Sequence, residues 1–227
     1  MMLKTAEPNY KKEYKERVQK NLQNVLKELE TKDMKLKISN WSNKFGYSFD
    51  EIKKKVIDDE IFRCLFAKDP AKQNFYQKLA SQYIRSLNIV KNFKVLPAGG
   101  KNAIYLTKGK IFKGESLKKQ PKDTKSIDFT WNCKDYIFYA SHKYTEKSGG
   151  DQDNQYKDIQ DFPNHARDCH EKNTIFLAIC DGDYYLQKDS KTGGKTKIKR
   201  LQRLTDNETF FVLNINELEK FLVSKIK

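Results

Sequence analysis

A chain of 227 residues with 37% hydrophobic and 12% aromatic side chains can bury a sizeable core, which excludes a disordered polymer and fits one compact domain with a helical extension. Its 45 Lys and Arg against 30 Asp and Glu leave a formal net charge of +15, a field that attracts polyanions, so nucleic acid is the first partner to weigh, beside a lysine-rich surface with no partner. No run approaches the roughly 18 apolar residues of a membrane span, and the start MMLKTAEPNYKK has no apolar secretion core, so the expectation is a cytoplasmic protein without a membrane partner.

The first ninety residues read as helices. Val18, Leu22, Val25, Leu26 and Leu29 form one apolar stripe between Tyr14 and Glu30, and Val56, Ile57, Ile61, Cys64 and Leu65 repeat the spacing. Asp69-Pro70 reads as an N-cap with proline at the first helical position, launching a helix through Phe75, Leu79 and Tyr83. After Lys91 the pattern shifts to β-prone runs at Phe93–Leu96, Ala103–Phe112, Ser126–Trp131 and Tyr136–Thr145. Gly149-Gly150 ends the last of these, a short helix is expected from Asp151 to Asp161, and a strand from Thr174 to Tyr185. The segment from 187 to 203 is dense in Lys and Arg around Gly193-Gly194 and reads as a mobile basic loop or hairpin. A final strand at Phe210–Ile215 leads into a helix for which Asn216 is the expected cap. The organisation expected is a helical N-terminal region over 1–92 packing on an α/β (α+β) core over 93–227.

The cysteines Cys64, Cys133, Cys169 and Cys180 are widely spaced without a CxxC pair, which fits reduced thiols. His165, Cys169 and His170 cluster, but no fourth ligand is spaced for zinc. The informative stretch is Ser126–Trp131 followed by Tyr136–Thr145. Side chains alternate along a strand, so Ser141 and Lys143 share one face while Ala140, His142 and Tyr144 take the other. If Asp128 on the neighbouring strand faces the same side, a carboxylate and an ammonium converge. That pair suits phosphate cleavage, the carboxylate holding a hard divalent ion and the lysine positioning water. The plainer alternative makes Lys143 an edge-strand lysine and Asp128 a surface acid. His142 reads as a packed histidine, and Asp181 and Asp183 as turn formers around Gly182.

Asp128, Ser141-x-Lys143 and the blocks SHKYTEKSGGDQDNQ and TIFLAICDGDYY resemble type II restriction endonucleases of the PD-(D/E)xK nuclease superfamily, over about the second half of the chain. The resemblance implies a restriction-endonuclease-like core with a central mixed sheet flanked by helices. It maps the metal-binding acid to Asp128 and the catalytic lysine to Lys143, and puts Ser141 where the family has its second acid. Some of these enzymes carry Ser there and bring the acid from the following helix, for which Asp151 or Asp153 would serve; Glu146 is a further candidate. It also implies Mg²⁺ as cofactor, site-specific hydrolysis of double-stranded DNA, a homodimer, and a companion methyltransferase acting on the same site.

For DNA contacts, Gln152, Asn154 and Gln155 can read adenine edges, or they form a solvated helix start. Lys188, Lys191, Lys195, Lys197, Lys199 and Arg200 would touch backbone phosphates, or form an exposed loop. Two rivals stay open: a structure-selective nuclease of repair or recombination, and a noncatalytic DNA-binding protein.

Overall fold

A computed structural model describes residues 6–116, 124–147, 149–188, 193–206 and 208–225, with the side chains of residues 150–152 outside the description. The chain divides into a unit Asn9–Tyr76 and a unit of Gln77–Lys227 together with the stretch ending at Pro8.

The first unit is helical, with α1 at Tyr10–Glu28, α2 at Lys32–Phe45, α3 at Phe49–Asp58 and α4 at Glu60–Arg63. Each start is capped by a side chain that accepts a bond from an otherwise unpaired backbone N–H: Asn9, Thr31, Ser48 and Asp59. Ser48 and Glu51 form a reciprocal capping box. Val25, Met34, Ile38, Ile52, Val56 and Phe66 make this unit's core. Asp69 does cap the turn that begins at Pro70, but this is only a 3-10 turn at Pro70–Gln73. Asn74, left-handed at φ 54°, breaks it, and the next helix starts afresh as α5, Phe75–Ser86.

The second unit carries β1 (Lys91–Val95), β2 (Ile104–Thr107), β3 (Lys110–Lys113), β4 (Lys125–Ser126), β5 (Phe129–Cys133) and β6 (Tyr136–Tyr144). It continues with α6 (Gly150–Asp161), α7 (Pro163–Ala166), β7 (Thr174–Asp181), α8 (Asp183–Leu186), α9 (Lys197–Gln202), β8 (Phe210–Leu213) and α10 (Ile215–Lys225). This is the expected mixed α/β class. Among the described residues, five strands form a mixed sheet in the order β1-β5-β6-β7-β8, antiparallel through β6 and parallel from β6 to β8. All of β7 is buried, as befits a parallel central strand covered on both faces.

Several segments differ from expectation, each for a local reason. The run Ala103–Phe112 is a hairpin, because Lys108 and Gly109 both take positive φ between β2 and β3. With β4 it forms a separate sheet in the order β3-β2-β4. The run Ser126–Trp131 is broken at Ile127-Asp128, so β4 joins the small sheet while β5 joins the large one. The run from Thr174 stops at Asp181. Gly182 turns there with φ 100°, and a Cβ on it would meet the Thr145 carbonyl oxygen at 2.2 Å. The segment expected to be a mobile basic loop or hairpin is closed by an antiparallel bridge between Lys188 and Thr196, as a hairpin is, but then coils into α9, with Ile198 and Leu201 buried. The cap of α10 is Asn214 rather than Asn216: its Oδ1 accepts from the Glu217 N–H at 3.0 Å while Glu217 Oε2 accepts from the Asn214 N–H.

Candidate active site

Strands β5 and β6 pair in the register Phe129 to Ala140 and Thr130 to Tyr139, which brings Asp128 opposite the middle of β6 as β5 begins. The Asp128 backbone is held on both sides: its N–H donates to the Ala140 carbonyl at 2.9 Å and its carbonyl accepts from the Leu96 N–H at 2.8 Å. Its carboxylate takes the ladder position that a backbone carbonyl would fill, with Oδ2 accepting the His142 N–H at 2.8 Å and the Ser141 hydroxyl at 3.3 Å. The other oxygen, Oδ1, accepts from Gln77 Nε2 on α5 at 3.1 Å. Ser141 and Lys143 alternate onto one face of β6, so the Ser141 contact puts the Asp128 carboxylate beside the face that carries the lysine.

Lys143 points toward α6, where its Nζ lies 3.2 Å from Asp158 Oδ2. Asp158 is shared: its Oδ1 is 2.8 Å from Lys125 Nζ on β4, and the same ammonium is 2.9 Å from Asp161 Oδ2. Helical geometry explains the doubling, because Asp158 and Asp161 stand three residues apart on one face of α6. Burial pushes the Asp158 carboxyl up, but hydrogen bonds and charge from Lys125 and Lys143 outweigh it and hold the carboxyl below its usual range. The Lys125 hydrogen bond lowers the Asp161 carboxyl to about 2. Lys125 loses solvation by burial, yet its two carboxylates raise its pKa above the ordinary value.

The remaining expected site residues fall elsewhere. Asp153 is exposed and accepts a bond from the Tyr184 hydroxyl at 2.8 Å. Gln155 accepts from the Thr145 hydroxyl at 2.9 Å, whereas Asn154 and Glu146 are exposed. The side chains of Asp151 and Gln152, and all of Lys191, lie outside the described residues. In the basic segment, Lys188, Lys195 and Lys199 are exposed and Arg200 is half-buried. Lys197 is engaged, its Nζ 3.4 Å from the centre of the Tyr184 ring. On the opposite face of β6, His142 Nε2 lies 3.0 Å from Asp181 Oδ2, both side chains being buried, and Asp181 Oδ1 accepts the Ile215 N–H at the start of α10. That is a packed histidine.

Sequence reasoning missed Gln77, Lys125, Asp158 and Asp161. A signal existed for the two acids alone: they border the buried positions Tyr156, Ile159 and Phe162 at helical spacing. Among the described residues, no group of three or more His, Cys, Asp or Glu stands ready to hold a metal. Hard oxygen donors stand at two places: the Asp128 carboxylate with the Ser141 hydroxyl, and the Asp158 carboxylate beside Lys143, each carboxylate already engaged by protein donors. Carboxylate and hydroxyl oxygens are the donor type that a hard cation such as Mg²⁺ takes, with one or two carboxylates completed by water and substrate phosphate.

No family model matches this chain, and no curated protein matches it. Among solved structures, protein VC1899 from Vibrio cholerae aligns with 94% of this chain and 55% of its own, at 8% identity and a TM-score of 0.33, a likeness too slight to carry an argument. The chain thus spans about half the length of that protein. Among the described residues no helix is long and apolar enough to cross a membrane.

Proposed function

We propose that the protein is a Mg²⁺-dependent nuclease that hydrolyses phosphodiester bonds in DNA, of the restriction-endonuclease type in the PD-(D/E)xK superfamily. The observation that carries this reading is that Asp128, just before β5, bonds the Ser141 hydroxyl on the β6 face that also carries Lys143, while α6 brings a second carboxylate, Asp158, against the lysine. An isolated surface acid and an edge lysine would not meet this way. β6 is an interior strand, paired on both sides.

Each residue then has a role set by its surroundings. The His142 N–H, the Ser141 hydroxyl and Gln77 fix the Asp128 carboxylate, so it is oriented before substrate arrives. Asp158 is the acid supplied from the following helix in place of one at Ser141. When bound by Asp128 and Asp158, Mg²⁺ would polarise the phosphate and lower the pKa of attacking water. Lys143, a fixed cation at the same face, orients that water and offsets charge that builds on the phosphate oxygens. The exposed Lys188, Lys195 and Lys199 supply phosphate contacts that give affinity without sequence choice. The same reading implies a homodimer on a palindromic site and a methyltransferase that protects it.

The test is incubation of the purified protein with phage DNA in Mg²⁺ or in chelator, followed by sequencing of the fragment ends. Ends sharing one short sequence, produced only with Mg²⁺, are expected. Scattered ends would favour a structure-selective nuclease, and intact DNA that is nevertheless bound would favour a noncatalytic DNA-binding protein.

A further inference from the structure

Beside the Asp128 constellation lies a cleft of about 870 Å³, bounded by β1, by the β2–β3 hairpin and by the faces of β5 and β6. Its floor carries Thr130 and Asn132 of β5 and Tyr139 of β6. Thr130 and Tyr139 are direct partners in the sheet and stand two residues along from Asp128 and Ser141, so the cleft opens on the same face as those groups. Its wall begins where the pairing of β1 with β5 is irregular between Lys91 and Lys94, with Asn92 at φ 54°. A bulge of this kind bends the strand and redirects its side chains.

The lining has a consistent chemistry. Amide side chains from Asn92, Asn102 and Asn132 offer paired donors and acceptors. Lys94, Lys101 and Lys113 bring positive charge against the single acid Glu115. Tyr139 supplies an aromatic surface, its ring stacked on Phe176 at 5.7 Å, and burial raises its pKa so that the phenol stays neutral. Amides that can read base edges, an aromatic side chain in the floor and cations for phosphate are together groups that an unpaired polynucleotide can use. The volume falls within the roughly 300–1,000 Å³ of pockets that enclose small molecules. That is room for a nucleotide or two, and a closed duplex presents no unpaired base to fill it.

We infer that this cleft holds an unpaired stretch of nucleic-acid strand, one or two nucleotides long, beside the phosphate that meets Asp128 and Lys143. The inference rests on the nuclease reading for why a strand passes there, and it narrows the substrate to one with, or forced into, an unpaired segment.

The test measures binding apart from cutting. Fluorescence anisotropy in chelator, with a labelled 12-nucleotide single strand as DNA or as RNA and with the matching duplex, compares the wild-type chain with Lys101→Glu/Lys113→Glu and with Asn132→Asp. The two lysines are exposed and the amide change is isosteric, so circular dichroism should show all three proteins folded. The single strand should bind measurably, and each variant should lose about tenfold of that affinity while duplex binding changes less. The DNA and RNA arms identify the sugar. No binding of the single strand, or variants that bind it like wild type, would overturn the inference. Cutting is scored separately on the same proteins. Loss of strand binding in a chain that never cuts would leave the cleft assignment standing and remove the nuclease reading, whereas normal cutting with unchanged binding would do the reverse.

Discussion

Asp158 separates two readings of the helix acid. Asp153, a candidate from the sequence, spends its carboxylate on the Tyr184 hydroxyl, while Asp158 faces Lys143 and Lys125. Asp158→Ala should therefore reduce DNA cleavage by about a hundredfold or more, the scale of losing one electrostatic stabiliser at a reacting centre, and Asp153→Ala should leave the rate within a fewfold. Single-turnover cleavage of a plasmid by both variants checks this, and the opposite ranking would return the role to Asp153. The same cluster sets an acid limit. Carboxyls held below their ordinary value stabilise the fold above that value and lose this contribution as pH falls through the folded-state pKa. For Asp161 that window runs from its usual 3.8 down to about 2. Lys125→Met removes the cause, so its Asp158 and Asp161 carboxyls should titrate at higher pH than in wild type when followed by NMR; unchanged midpoints would show that Lys125 is not what lowers them. Asp128, Ser141 and Lys143 were legible from strand alternation and the resemblance. Lys125 was not, because its sequence neighbours say nothing of a helix more than thirty residues on.

Helix α9 shows where pattern and charge disagree. Seven basic side chains between 187 and 203 mark the segment as solvent-facing, and only Ile198 and Leu201, three residues apart, hint at a buried face. Two apolar positions are too short a period to read, yet in the fold Leu201 is fully buried against the cluster around Phe210 and Val212. Leu201→Ala should cost about 2–5 kcal/mol, measured by urea unfolding, since it leaves a cavity among fixed neighbours. Lys195→Ala, on an exposed side chain, should change stability by less than about 0.5 kcal/mol. A neutral Leu201→Ala would mean the segment is the loose loop its composition suggests. The strands were read more faithfully. β6 differs from its expected span only at Thr145, because it opens on four aromatic and β-branched side chains, Tyr136 to Tyr139, which favour a strand. The breaks at Lys108-Gly109 and Ile127-Asp128 escaped detection, since which sheet a strand joins is decided by partners distant in sequence.

Across the whole chain, the net charge of +15 is the feature that the proposed nucleic-acid partner would meet first. Nucleic-acid binding should weaken steeply and linearly in log salt, because phosphate contacts release counterions. Charge alone, even where it favours a polyanion, defines no reaction. The proposed reaction uses Asp128 and Lys143 together: Asp128 stands 3.3 Å from the hydroxyl of Ser141, 13 residues on, and Lys143 shares the β6 face with Ser141. The most direct measurement is the rate at which Lys143→Ala cuts plasmid DNA in Mg²⁺ with enzyme in excess, alongside its DNA affinity in chelator. The account predicts affinity within about threefold of wild type and cleavage reduced by about a hundredfold or more. Cleavage at the wild-type rate would contradict it.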